Sequence, residues 1–203
     1  DALVNDLRIV GVTGGSGCGK TTFLQALEKR GAMVLDCDEV YHELLKTSKP
    51  MLDAIDARFP GVVENGVLQI KKLGEIVFHD EQALEDLNTI THRYVTEEIQ
   101  RRLREHAKNG GTVAAIDAIA LLENRYAEKT LCNIAVTAPV EARVRRLMAR
   151  EGISEDYARA RIAAQKPDAY FSARCDYTIC NDGSLAELER SCEQLFSEVL
   201  KDV

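Results

Sequence analysis

The sequence predicts an α/β fold: a parallel five-stranded sheet carrying a phosphate-binding loop, with a helical insertion and a helical lid. Three observations predict it. Short apolar runs alternate with helical spacing at both ends of the chain, a glycine-rich loop joins the first run to the first helix, and the alternation stops in a central stretch. The 203 residues are 45% hydrophobic and 29% charged, a globular composition long enough for one large domain or a core with an insertion.

The first strand is the apolar run from Leu7 to Thr13, which ends in glycines. Thr21 to Arg30, with Phe23, Leu24 and Leu27 at helical spacing, is the first helix, and Gly31 closes it. Ala32 to Asp36 reads as a second buried strand, so the chain opens with a β-α-β unit. Further strands are expected at Thr112 to Asp117, Leu131 to Thr137 and Asp176 to Cys180, each followed by a helical pattern, with ligands at the strands' carboxyl ends. Residues 7–38 and 110–203 are thus assigned to the core. The stretch 39–109 is the insertion: its apolar positions, from Leu44 to Leu103, keep helical spacing with breaks at Phe59-Pro60-Gly61 and Asn65-Gly66.

The net charge of −7 argues against nucleic-acid and membrane-surface partners, whose footprint on a protein is basic. No apolar run reaches membrane-spanning length, and Asp1 to Asp6 lacks a basic region followed by an apolar one, so the expected location is the cytoplasm. A monomer is expected. The cysteines at 18, 37, 132, 175, 180 and 192 contain no C-x-x-C pair and read as reduced core thiols. The four histidines include no H-E-x-x-H, which gives a catalytic transition metal little support.

Gly14-Gly15-Ser16-Gly17-Cys18-Gly19-Lys20-Thr21 satisfies G-x-x-x-x-G-K-[ST] between a predicted strand and a predicted helix, the context the motif requires. Its glycines let backbone N–H groups turn inward around phosphate oxygens, and the helix N-terminus adds its positive end. Lys20 reaches the β/γ-phosphates and Thr21 offers a hydroxyl to Mg²⁺. The core therefore reads as a P-loop NTPase core that binds nucleotide, with the reaction left open.

Asp36 and Asp38 lie at the carboxyl end of the second strand and, by strand alternation, are expected to project similarly. Asp38 reads either as a base for a substrate hydroxyl or as the N-cap of a helix over 39–46. Asp117 ends the third strand, either as a Mg²⁺-side carboxylate or as an ordinary strand-end residue. Between 143 and 166 seven basic residues stand against three acidic ones. Arg143, Arg146 and Arg150 share a helix face on which guanidinium groups can meet phosphate, while Val144, Leu147 and Met148 form the apolar face. Gly152 followed by Ser154-Glu155-Asp156 predicts a helix-turn-helix lid over 143–166. A solvated face with local salt links is the other reading of that cluster.

These residues resemble the dephospho-CoA kinases. The likeness runs from Thr13-Gly14-Gly15 through Asp36-Cys37-Asp38, Leu73-Gly74-Glu75-Ile76-Val77-Phe78 and Ile90-x-His92 to Asp117 with Leu121-Leu122-Glu123. It ends in Arg146-x-x-x-Arg150, Arg161-Ile162-x-x-Gln165 and Asn181-Asp182-Gly183, so it covers nearly the whole chain. The resemblance implies transfer of the ATP γ-phosphoryl group to the ribose 3′-hydroxyl of dephospho-CoA, with ATP and Mg²⁺ required and the insertion receiving the acceptor. Gly15, Ser16, Gly17, Cys18, Gly19, Lys20, Thr21 and Thr22 would bind ATP, together with Arg146 and Arg150. Asp38 would activate the hydroxyl, Thr13 would line the site, and Lys20 and Arg146 would act on the transferring group. His92 matches a position near the acceptor, and reads equally as a packed histidine. The chain departs from the family at Arg93 and Ile119, where prolines are usual, and at Ile70, where an arginine is common. Lys71 or Arg93 is expected to supply the missing cation. The alternatives are another small-molecule kinase, with a nucleoside, nucleotide or shikimate-like acceptor, and a nucleotide-dependent switch; the D-x-x-G and N-K-x-D patterns of guanine switches do not occur.

Overall fold

The computed structural model describes residues 2–118 and 129–200. Ile119 and the Leu121-Leu122-Glu123 segment lie outside the described residues. The chain forms two compact units, Asp1–Leu35 with His106–Val203, and Asp36–Glu105.

The first unit opens with a short helix α1 (Ala2–Asn5), strand β1 (Arg8–Thr13), helix α2 (Lys20–Lys29) and strand β2 (Met33–Asp36). The second unit carries α3 (Cys37–Thr47), α4 (Lys49–Arg58), β3 (Val63–Glu64), β4 (Val67–Leu68) and α5 (Ile70–Phe78), and the long helix α6 (Glu81–Lys108) leads back out of it. The first unit resumes with β5 (Val113–Asp117), β6 (Cys132–Thr137), α7 (Val140–Glu151), α8 (Glu155–Ala164), α9 (Asp168–Arg174), β7 (Tyr177–Cys180) and α10 (Leu185–Val199). The five predicted strands form one sheet in the order β2-β5-β1-β6-β7. Central β1 runs parallel to β5, with Val10 opposite Ala115, and to β6, with Val12 opposite Ile134; β6 runs parallel to β7. Chain connections leave β1 toward one edge and return on its other side, so the loop after β1 opens at a topological switch point.

Apolar side chains on one face of the sheet, Val10, Val12, Ile134 and Val136, pack with Phe23 and Leu27 of α2 and with Leu195 and Phe196 of α10. The Phe23 and Phe196 rings lie 5.9 Å apart. Burial of each such side chain is worth about 1.5–3 kcal/mol, and it fixes the start of α2 against the sheet.

Helices α7 and α8 form the expected hairpin around Val144, Leu147, Ala158 and Ile162. Gly152 ends α7 in the left-handed conformation at φ 67°, and the Ser154 hydroxyl caps α8 by accepting from the Tyr157 N–H at 3.1 Å. Two expectations about this hairpin fail. Met148 is 37% exposed rather than packed, and Arg143 is 2% exposed rather than facing open space. Arg143 stands one turn before Leu147 and shares its buried face.

In the second unit Met51, Ile55, Phe59, Val62, Leu73, Ala83 and Leu87 make a separate core. Asn65-Gly66, expected as a break between helices, is instead the two-residue turn of a hairpin pairing Val63 with Leu68 and Glu64 with Val67. Both turn residues have positive φ, 53° and 77°, which suits Asn-Gly. Strands of two residues are too short for an alternating pattern to declare them. At the start of this unit the predicted cap is also displaced. Helix α3 begins at Cys37, and Asp36, not Asp38, accepts from the N–H groups of Asp38 (2.9 Å) and Glu39 (3.2 Å). Asp36 therefore turns back onto the helix while Asp38 stands exposed in its first turn, so the two carboxylates do not project alike.

Candidate active site

The phosphate loop is built by what stands behind it. Arg143 Nε donates to the Ser16 carbonyl at 2.9 Å, Arg146 Nη1 to the Gly17 carbonyl at 3.1 Å, and Asn181 Nδ2 to the Cys18 carbonyl at 3.1 Å. In a planar trans peptide the N–H points away from the preceding C=O. Drawing three consecutive carbonyls outward turns the N–H groups of Gly17 and Gly19 to the opposite side, where they make an anion nest. Glycine is required there on two counts. Gly17 and Gly19 have φ of 77° and 89°, and a Cβ on Gly17 would come within 2.6 Å of the Arg143 carbonyl oxygen while one on Gly19 would collide with the Asn181 amide. Gly19 also precedes the first residue of α2, so the nest continues into a helix N-terminus.

Each of the supporting side chains is itself held. Arg143 also donates to Gln165 Oε1 at 3.1 Å and pairs with Asp168 at 3.4 Å, and the other oxygen of Asp168 accepts from the Ala138 N–H. Arg146 Nη2 donates to the Asn181 carbonyl at 3.0 Å. Two of the five N–H bonds of Arg146 thus go to backbone.

The loop opens into a cleft of about 690 Å³ lined by Gly14 to Thr22, Asp117, Arg146, Ala149, Arg150 and Arg161. Lys20 Nζ lies 2.6 Å from Asp117 Oδ1, with side-chain exposures of 17% and 13%. Thr21, the second residue of α2, is exposed in the same cleft. A hydroxyl and a carboxylate are hard oxygen donors of the kind Mg²⁺ takes, and both line this cleft. Arg150 and Arg161 share Glu151, at 3.6 and 2.7 Å, an exchangeable pairing at the cleft edge. Cys18 is 1% exposed, and burial pushes its thiol above the usual range, so it serves as packing under the loop.

The structure therefore gathers Lys20, Thr21, Thr22, Arg146 and Arg150 around the loop, as the motif and the basic cluster predict. Thr13 is not among the lining residues: it is fully buried at the end of β1, in a sheet covered on both faces. Asp38, Lys71 and His92 belong to the second unit, in the first turn of α3, the first turn of α5 and on α6. Lys71 is exposed and lines a separate pocket of about 320 Å³ with Gln69 and Ile70. Arg93, the other expected substitute cation, pairs with Glu97 at 3.3 Å.

Four residues without an assigned role in the sequence reading take one here: Arg161, Gln165, Asp168 and Asn181. Three of them sit in segments that carry the family resemblance, but Gln165 and Asn181 meet partners 149 and 163 residues away, contacts that no local pattern announces.

A family model described as dephospho-CoA kinase matches residues 8–187. A dephospho-CoA kinase of Thermobifida fusca is 38% identical over 94% of this chain and 95% of its own, and one of Corynebacterium glutamicum is 33% identical over 96% and 98%. Among solved structures, that of TT1252 from Thermus thermophilus superposes with a TM-score of 0.76 at 30% identity, covering 95% of this chain and 98% of that one. The matches run through the phosphate loop, the insertion and the α7–α8 hairpin alike, and the chain belongs to the dephospho-CoA kinase family.

Proposed function

We propose that this protein transfers the γ-phosphoryl group of ATP to the ribose 3′-hydroxyl of dephospho-CoA, giving coenzyme A and ADP. The observation that carries the reading is the cleft in which a carbonyl-clamped phosphate loop, Lys20 and the α7–α8 arginines converge, in a chain of this family.

The N–H groups of Gly17 and Gly19 and the α2 N-terminus hold the inner phosphates. Lys20 exchanges the Asp117 carboxylate for β- and γ-oxygens as nucleotide enters. Thr21 and Asp117 would hold Mg²⁺, which supplies neutralising charge to the phosphates when bound. Asp38 accepts the 3′-hydroxyl proton while that oxygen bonds to the γ-phosphorus and the bond to the β–γ bridging oxygen breaks. Asp36 carries out the capping of α3, which leaves the exposed Asp38 carboxylate available for this task. Arg146 and Arg150 neutralise charge on the transferring group, with Arg161 released from Glu151 to join them. The segment 39–109 receives the acceptor, through Lys71 and His92 among others, and 143–166 acts as the lid. The enzyme works in the cytoplasm, where its six cysteines, none in a disulfide here, stay reduced. No helix among the described residues is long and apolar enough to cross a membrane.

The test supplies Mg-ATP with dephospho-CoA, shikimate, uridine and nucleoside monophosphates in separate reactions and identifies products by mass. The expected result is phosphorylation of dephospho-CoA alone. Turnover of another acceptor with dephospho-CoA untouched would overturn the assignment.

A further inference from the structure

Gln165, the C-cap of α8, turns its side chain onto the third residue of the phosphate loop. Its Oε1 accepts from the Ser16 N–H at 2.9 Å and from Arg143 Nη2 at 3.1 Å, and its Nε2 donates to Ser16 Oγ at 2.9 Å. The amide has one permissible orientation here. Arginine and the backbone N–H can only donate, so the oxygen faces them and the nitrogen faces the hydroxyl. Ser16 Oγ is thereby made an acceptor, and its single proton must be donated elsewhere. The Ser16 carbonyl is already taken by Arg143 Nε, and Ser16 lines the cleft. The direction left for the proton is into the cleft. Ser16 precedes the first residue of α2, Lys20, by four residues, and with the inner phosphates held at that helix N-terminus the terminal phosphate is the group that would meet this proton.

We infer that the Ser16 hydroxyl donates a hydrogen bond to the terminal phosphate of the nucleotide and that Gln165 is the positioning residue that aims it. This rests on the phosphoryl-transfer reading above. It assigns the side chain of Ser16 a part that the glycine-rich motif, which works through backbone N–H groups, does not require. It also explains why a neutral amide stands at 165. A carboxylate there would keep both acceptor contacts but would draw the Ser16 proton onto itself and away from the ligand.

The variants S16A, Q165E and S16A/Q165E test this by two readouts. In the first, AMP-PNP and ADP affinities are measured by calorimetry without any acceptor. S16A and Q165E are each expected to weaken AMP-PNP more than ADP, by roughly tenfold, as fits a lost hydrogen bond to a charged group. In the second, kcat with dephospho-CoA falls roughly ten- to a hundredfold in each single variant, and Q165E costs little further kcat once Ser16 is Ala. S16T, which keeps the hydroxyl, retains kcat within about threefold. Equal weakening of AMP-PNP and ADP would overturn the inference, as would full multiplication of the two kcat losses, which would place Gln165 on the ligand itself. Should Q165E not fold, Q165M, which lacks both bonding groups, is read in the same way. If the wild type leaves dephospho-CoA unphosphorylated, the functional reading fails while the AMP-PNP and ADP comparison still decides this one.

Discussion

Arg143 and Arg101 are both arginines on long helices with several hydrogen bonds, and they differ in what those bonds join. Arg101, exposed on α6, binds Glu98 and Glu105, three and four residues away. Arg143, buried on α7, binds Gln165, Asp168 and the Ser16 carbonyl, across 22, 25 and 127 residues. A contact within one helix turn adds a few tenths of a kcal/mol to a helix that forms anyway. A buried contact over such a span fixes the shape of a loop that has no other reason to hold it. The same contrast separates the three side chains that donate to the loop's carbonyls from the surface pairs of the second unit, such as Lys49 with Asp53 and Arg93 with Glu97.

The sharpest way to break the comparison is to remove each arginine. R143A should cost roughly 3–5 kcal/mol, because it removes a buried side chain with its packing and takes a partner from the Ser16 carbonyl and the Asp168 carboxylate. In a chain of this size the expected fall in melting temperature is about 10 °C, read by calorimetry. A loss below about 1 kcal/mol would mean that the loop holds itself. The two carboxylates at the start of α3 extend the comparison to function. D38N should lower kcat by roughly two powers of ten with little change in ATP affinity, as expected for a base. D36A should instead lower stability by about 1 kcal/mol, the value of a lost N-cap, measured by urea unfolding. The smallest effect belongs to R101A, expected to change stability by less than about 0.5 kcal/mol in the same measurement.

How much of this was legible in the sequence follows the same division. The phosphate loop is contiguous, and its chemistry needs eight successive residues, so Gly14 to Thr21 announce it completely. The sheet is legible because strands buried on both faces read as unbroken apolar runs, as at Ile134 and Val136. Less legible are features that depend on a boundary or a distant partner. Asp38 can be read as a cap as well as a base because helix α3 starts two residues earlier than its apolar spacing declares. Spacing groups Arg143 with Arg146 and Arg150, because it gives a face of a helix but not what lies against it. Asn181 sits in a segment of the family resemblance, but nothing local states its task, which is to hold a carbonyl 163 residues away.

That last distance has a consequence for how the protein is made. The ribosome delivers the loop before the side chains that draw its carbonyls outward, which arrive only with residues 143 to 181. At about 5–20 residues per second the wait is on the order of ten to thirty seconds. During that interval Gly14 to Thr21 are a flexible, glycine-rich tether on a growing chain. The nest thus has all its carbonyl holders only once the chain has been made through Asn181, which follows β7.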